Sequence, residues 1–364
     1  MTPPLTILVP TYNRSQLLAR LLRYYEACGA PYPMRILDSS DEPATLPALS
    51  APAGRVTQVR YDAHTLPTTK LFDGLSQVTT PYVVVWADDD LMVPSSIAAC
   101  AAFLDGHPEA SVAHGYSELF QVGEAGGHPV ISNRWSYRQR SYLGETASQR
   151  LRRYLQDYTT LFYSVHRTAH LAANLERCRV YGWSAAPVVP AVHRSDWWVE
   201  LVLGCLSAIQ GEAHRLDYLY MQRDRHAGVD SWESPAGRRE PLDWFDWVTS
   251  SSFSTAYGAF RLCLGEALVQ QDRISTDEAS TVVKEAFWSY LAKLLAGKRQ
   301  ARYGRPGWSA RHRLSQGVRG ITDQYRRWTY RAQLRLIDRA IQEAPWNGAA
   351  ARDAGRAGAE LLPR

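Results

Sequence analysis

The run Tyr82-Val83-Val84-Val85-Trp86-Ala87-Asp88-Asp89-Asp90 constrains this chain most, because it makes an apolar strand deliver three consecutive carboxylates to one point. Val and Tyr favour a packed, pleated environment. Asp side chains at the end of such a strand are costly unless a cation or hydrogen-bond donors meet them. Hard divalent cations take oxygen ligands of this kind and are commonly shared with substrate phosphates. Pro94-Ser95-Ser96 follows as a helix start, so by itself the triplet reads equally as a metal site or as an acidic turn leading into a helix.

The amino-terminal segment supplies the context. Leu5-Thr6-Ile7-Leu8-Val9-Pro10 reads as a strand, Thr11-Tyr12-Asn13-Arg14-Ser15 as a polar turn, and Leu17, Leu18, Leu21, Leu22 and Tyr25 as the apolar face of a helix. Met34-Arg35-Ile36-Leu37 is a second short strand ending in Asp38-Ser39-Ser40-Asp41, which completes a βαβ unit. In open parallel sheets ligands bind beyond the carboxyl ends of the strands. The polar groups at 11–14, 38–40 and 88–90 are therefore expected in one crevice. Neither G-x-G-x-x-G nor G-x-x-x-x-G-K-[ST] follows the first strand, which argues against a dinucleotide or P-loop site.

The combination V-P-T-Y-N-R ending at Arg14, D-S-S from Asp38, and a strand ending in D-D-D with Pro94 four residues later resembles GT-A glycosyltransferases, closest to family 2, over roughly residues 5 to 230. That resemblance implies an α/β fold, a Rossmann-like nucleotide-sugar-binding mixed sheet, followed here by a mainly helical carboxyl-terminal region. It implies a donor site made by Pro10, Thr11, Tyr12, Asn13, Arg14, Asp38, Asp88 and Asp89, with Asp38 accepting from a nucleobase N–H. It also implies Mn2+ or Mg2+ held by Asp88, Asp89, Asp90 and His226, the last beside Arg223 and Arg225, which could reach phosphate oxygens. Lys70, before the metal strand, is either a point cation for the diphosphate or a solvated lysine. There are departures. Asp38 is followed by Ser39 and Ser40, where members often carry a second acid and then Gly-Ser; aligning the family's D-A-D-D on Pro94 leaves Asp89 and Asp90 as the firmest matches.

His193-Arg194-Ser195-Asp196-Trp197-Trp198-Val199-Glu200 opens another helix. Ser195 or Asp196 could simply cap it, since helix starts favour such residues. The resemblance instead makes Asp196 the base that deprotonates an acceptor hydroxyl, with Glu200, one turn further on, as the fallback. Trp197 and Trp198 could stack on acceptor sugars or belong to the core.

At 364 residues and 45% hydrophobic content, the chain can bury one large core or two smaller ones. A Gly, Ser and Pro cluster between 228 and 242 suggests a division into a catalytic part, 1–230, and a helical, Arg-rich part, 231–364. Phe253, Tyr257, Phe260, Leu264 and Leu268 recur at helical spacing, as do Val282, Ala286, Tyr290 and Leu294. The arginine run that includes Arg326, Arg327, Arg331, Arg335 and Arg339 suits a membrane surface, a phosphate-bearing acceptor or a solvated face. No nucleic-acid motif accompanies it. The five cysteines lack C-x-x-C spacing and are odd in number, so free thiols are expected. With no signal segment and no apolar run of the ~20 residues needed to span a bilayer, a cytoplasmic protein is expected, with peripheral contact at the inner membrane face open to it. Richness in Ala and Arg suits a bacterial source.

The resulting expectation is an inverting, metal-dependent transferase that moves a sugar from a nucleotide-sugar, UDP-linked by preference, to a hydroxyl of a glycan, lipid-linked or other acceptor. The alternatives are a non-catalytic glycan- or phosphate-binding protein on the same scaffold, and a nucleotidyltransferase.

Overall fold

The computed structural model describes residues 4–47, 54–63, 65–181, 195–225, 248–249, 251–303 and 329–343, with 195–198, 251–252 and 297–303 described by backbone alone. The expected opening is present as β1 (Leu5–Thr11), α1 (Ser15–Ala27) and β2 (Met34–Asp38). Then come β3 (Val56–Arg60), α2 (Pro67–Ser76), β4 (Tyr82–Val85), β5 (Leu91–Met92) and α3 (Pro94–Gly106). The middle of the chain adds β6 (Ala110–Ala125), β7 (His128–Tyr137), α4 (Ala147–Gln156), β8 (Val165–Arg167), α5 (Thr168–Val180), α6 (Ser195–Gln210) and β9 (Glu212–Asp224). Three helices close the described chain: α7 (Ser251–Asp272), α8 (Thr276–Tyr303) and α9 (Arg331–Gln342).

The nine strands of the described residues form one mixed sheet in the order β3-β2-β1-β4-β8-β6-β9-β5, with β7 paired to β6. The first four are parallel, β8 runs antiparallel to both β4 and β6, and β6 and β9 are parallel. Strand periodicity explains the layering, because successive side chains point to opposite faces. Ile7, Val9, Met34, Ile36 and Val84 enter a core with α1, α3 and α9, whereas Leu8, Leu37, Val83 and Val85 enter a core with α4 to α8. Each fully buried Val, Leu or Ile contributes roughly 1.5–3 kcal/mol.

The carboxyl-terminal helices therefore share their cores with the sheet. Phe260, Leu264, Phe287 and Leu291 pack in the same cluster as Leu8 and Leu37. In α9, Leu334, Ile337 and Ile341 are buried against α1 and β7, while Gln333 donates to the Tyr24 hydroxyl at 2.7 Å and Arg134 pairs with Asp338 at 2.6 Å. Arg331, Arg335 and Arg339 repeat every four residues on the exposed face of this helix. Arg326, Arg327 and the 228–242 cluster lie outside the described residues. All five cysteines are free, as expected.

Two features of the added sheet half were not anticipated. Gly126 and Gly127, with φ of 60° and 80°, make the tight turn between β6 and β7, a conformation that glycine adopts without strain. Gly115 lets β6 and β9 approach closely: a Cβ there would clash with the Tyr218 carbonyl oxygen and sit 2.8 Å from Tyr220 Cβ. Gly115→Ala should force the two strands apart and destabilise the fold by roughly 1–3 kcal/mol, as overpacking does. An unchanged thermal midpoint would show that the strands are not held this close.

Candidate active site at the strand ends

Register brings the polar strand ends together. Thr11 lies opposite Asp38, Ser39 N–H donates to Thr11 O at 3.2 Å, and Trp86 N–H donates to Leu8 O at 2.8 Å. The acidic triplet follows β4 in a turn in which Asp90 N–H donates to Ala87 O and Trp86 Nε1 donates to Asp90 O at 2.8 Å.

The carboxylates meet arginines. Asp88 accepts from Thr11 Oγ1 at 2.7 Å on one oxygen and from Arg14 Nη1 at 2.9 Å on the other. The same Arg14 nitrogen reaches Asp89 Oδ2 at 3.1 Å. Arg20, on the buried face of α1, donates to the Asp89 carbonyl at 2.6 Å and to Asp224 Oδ2 at 2.8 Å. From the end of β9, Asp224 N–H donates to Asp90 Oδ1 at 3.1 Å, and Arg223 Nε lies 3.3 Å from Asp90 Oδ2. That Oδ2 is buried and has no hydrogen bond.

Burial governs the protonation of these groups. It pushes the Asp90 carboxyl up to about 8, with Arg223 pulling the other way and the Asp89 charge adding to the rise. Asp89 is also raised, by burial first and then by Asp88, with Arg14 opposing. Burial disfavours the Arg14 charge, yet Asp88 and Asp89 more than offset it and its pKa is raised. At Asp89 and Asp90, burial and the neighbouring acids thus outweigh the arginines, a condition that a bound cation would relieve.

Glu200 sits beside this network. Tyr163 Oη donates to its Oε1 at 2.7 Å, and burial raises its pKa, opposed by Arg223 and the Tyr163 bond and reinforced by Asp89. The Arg223 guanidinium lies 5.0 Å from the Tyr163 ring centroid and 5.6 Å from that of Tyr137, a cation–π cage. Tyr137 also borders an open cleft of about 480 Å³ whose lining includes Arg138, Arg140, Tyr158, Tyr290 and Lys293.

Asp38 and Lys70 are buried. Asp38 accepts from Ser40 N–H on Oδ1 and from Ala44 N–H, Gln58 Nε2 and Arg60 Nη1 on Oδ2, at 2.7 to 2.9 Å. Although burial alone would raise its pKa, hydrogen bonds from Ser40, Ala44 and Arg60 hold it down at about 2. Both oxygens are thus engaged in shaping the 38–44 loop. Lys70 Nζ donates to Thr11 O and Ser39 Oγ, each at 2.8 Å, tying the ends of β1 and β2; the solvated alternative does not hold. Asn13, at φ 53°, exchanges side-chain and backbone bonds with Asp41 and donates its N–H to Ser40 Oγ. The first two loops are thereby fastened to each other.

Of the residues singled out from sequence, Thr11, Arg14, Asp88, Asp89, Asp90, Glu200 and Arg223 come together. Pro10 and Tyr12 are half-exposed beside them. Arg225 is exposed and stacks over Trp135 at 5.5 Å, away from the triplet's direct contacts. Asp196, Trp197 and Trp198 occupy the first turn of α6, but their side chains are not among those described; His226 lies outside the described residues. Arg20, Tyr163 and Asp224 were missed. Arg20 did carry a signal, a charge in the middle of the apolar stripe Leu18, Leu21, Leu22, Tyr24.

No family model matches the chain, and no curated protein matches it. Among solved structures, S. aureus TarS is 13% identical over 84% of this chain with a TM-score of 0.48, and this chain spans 46% of its length. S. aureus TarS 1–349 in complex with UDP-GlcNAc is 13% identical, with 84% of this chain and 77% of that one covered and a TM-score of 0.44. The complex of TarS 1–349 with UDP is 14% identical, with 84% and 76% covered and a TM-score of 0.45.

Proposed function

We propose that this chain is a nucleotide-sugar-dependent, inverting glycosyltransferase that takes a UDP-linked donor by preference and acts on a hydroxyl acceptor in bacterial glycan or glycoconjugate synthesis. The observation that carries the reading is the convergence of Asp88–Asp90, Arg14 and Arg223 with Glu200, a carboxyl of raised pKa, at the carboxyl edge of a sheet. An anionic leaving group needs cations, and an acceptor hydroxyl needs a base, within one site.

The donor diphosphate would lie against the turn of 11–14 and the acidic triplet, with Arg14 and Arg223 facing its charge. Glu200 would accept the acceptor proton on a carboxylate oxygen as the acceptor oxygen forms its bond to the anomeric carbon and the bond to diphosphate breaks. Attack from the side opposite the leaving group inverts the anomeric configuration. Tyr163 holds Glu200 in place by its 2.7 Å bond. Asp196 and, at the acceptor side, Trp197 and Trp198 belong to the same proposal through their place on α6. The cleft beyond Tyr137 is the natural approach for the acceptor.

The residues present fit a hard divalent cation at Asp89 and Asp90, because Asp90 Oδ2 is buried without a hydrogen bond; Asp88 has both oxygens occupied by protein donors. When bound, Mg2+ or Mn2+ would supply Lewis-acid neutralisation of the departing diphosphate. His226 remains the proposed further ligand. No helix among the described residues is long and apolar enough to cross a membrane. A cytoplasmic setting, with the arginine face of α9 turned to an anionic surface, is part of the proposal.

The test is donor turnover without acceptor. Incubation with a panel of UDP-, GDP- and dTDP-sugars and Mn2+ should show slow hydrolysis of one donor class, suppressed by EDTA and by Asp90→Ala. Binding of donors with no hydrolysis and no transfer would favour a non-catalytic binding protein instead.

A further inference from the structure

A second set of metal-ligating side chains lies at the opposite edge of the sheet. The turn after α3 reads His107-Pro108-Glu109, and the start of β9 reads Glu212-Ala213-His214. Glu212 N–H donates to Glu109 O at 3.0 Å, so these two segments run side by side. Residues two apart on an extended segment share a face, which puts Glu212 and His214 on one side of β9, where Glu109 meets them.

The distances are close to those of a coordination sphere. Ligand atoms of Glu109, Glu212 and His214 all lie within 4.8 Å of one another. His107 Nδ1 is 2.8 Å from Glu109 Oε1, and His214 Nε2 is 2.9 Å from Glu212 Oε2. Ligands on a tetrahedral ion with bonds of about 2.0–2.1 Å stand roughly 3.3 Å apart, so a small inward adjustment of half-exposed side chains suffices. Supporting groups are in place. The Phe103 ring stacks on His107 at 4.0 Å and tilts against His214 at 4.8 Å, and Gly144 N–H donates to Glu212 Oε1 at 3.3 Å. Two carboxylates balance a divalent charge, and mixed imidazole nitrogen and carboxylate oxygen donors suit Zn2+ better than Mg2+.

We propose that Glu109, Glu212 and His214 bind a Zn2+ ion that staples the entry of β6 to the entry of β9, with His107 holding the Glu109 carboxylate in place and water completing the coordination. The site is independent of the candidate active site. The two stand at opposite ends of β9, on the order of 35 Å apart at about 3.3 Å per residue. Its role is structural: it would fix the amino end of the strand whose other end presents Arg223 and Asp224.

Untagged, metal-stripped protein should be titrated with Zn2+ by calorimetry and followed by thermal melting, with Co2+ as a visible-absorption probe. The expected result is a Zn2+ site that raises the thermal midpoint, shows the absorption of tetrahedral Co2+, and persists in Asp90→Asn. His214→Ala and Glu212→Gln should weaken it by more than the ~10-fold that loss of a supporting group costs, while the metal-free midpoint of Glu212→Gln stays near that of the parent. Zn2+ affinity unchanged in both variants, or no Zn2+-dependent stabilisation of the parent chain, would overturn the proposal and leave two hydrogen-bonded His–Glu pairs.

Discussion

Glu200→Gln should lower sugar transfer by the ~10²–10⁴ typical of losing a general base, with the fold and donor binding retained. The glutamine keeps an acceptor for the Tyr163 hydroxyl, so the substitution removes the proton-accepting charge and little else. It should also alter the pH profile. Glu200 must be ionised to act, and its pKa is raised by burial and by Asp89; activity of the parent should therefore fall with decreasing pH at values above the ordinary carboxylate range. Steady-state rates across pH for the parent, Glu200→Gln and Asp196→Asn decide the matter. If the loss and the altered profile follow Asp196→Asn while Glu200→Gln stays active, the base is Asp196, and Glu200 positions Arg223 and Tyr163.

Asp38→Ala should be among the most destabilising single substitutions, by about 3–5 kcal/mol, because it leaves Arg60 and three other donors facing a void where a buried charge stood. The pH dependence has a definite sign. The folded-state pKa of about 2 lies below the ~3.9 of an unfolded aspartate, so the stabilisation is fully present above about pH 5 and is lost as pH falls through 4 towards 2. Denaturant unfolding of the parent and the variant at pH 7 and pH 3 should show the gap narrowing at the lower pH. A gap that stayed constant would mean that Asp38 stabilises by packing and not by its charge. Donor affinity should fall as well, since the 38–44 loop is fastened to Asn13 beside the proposed nucleotide site.

How far sequence reading reached depended on the range of the interaction concerned. α1 was readable because Leu18, Leu21, Leu22 and Tyr25 mark a face at helical spacing, and β1 and β4 because short apolar runs ended in polar turns. The β6–β7 hairpin is hard to read although Gly126-Gly127 signals its turn, because its long strands mix polar and apolar residues and leave no clean alternation. In sequence Lys70 reads equally as a solvated lysine or a phosphate ligand, and only its bonds to Thr11 O and Ser39 Oγ show that it bridges two strand ends.

By itself the sequence determined that the strand ends carrying Thr11–Arg14, Asp38–Ser40 and Asp88–Asp90 converge on one crevice, since local periodicity and the rule for open sheets require no more. Only the tertiary structure decided which cations meet those acids. Arg20 and Asp224 are 204 residues apart, and Arg223 reaches Asp90 because β9 passes antiparallel to β5. A charge pair of that kind leaves no local pattern, because its strength depends on distance and burial, and neither exists until the sheet has assembled.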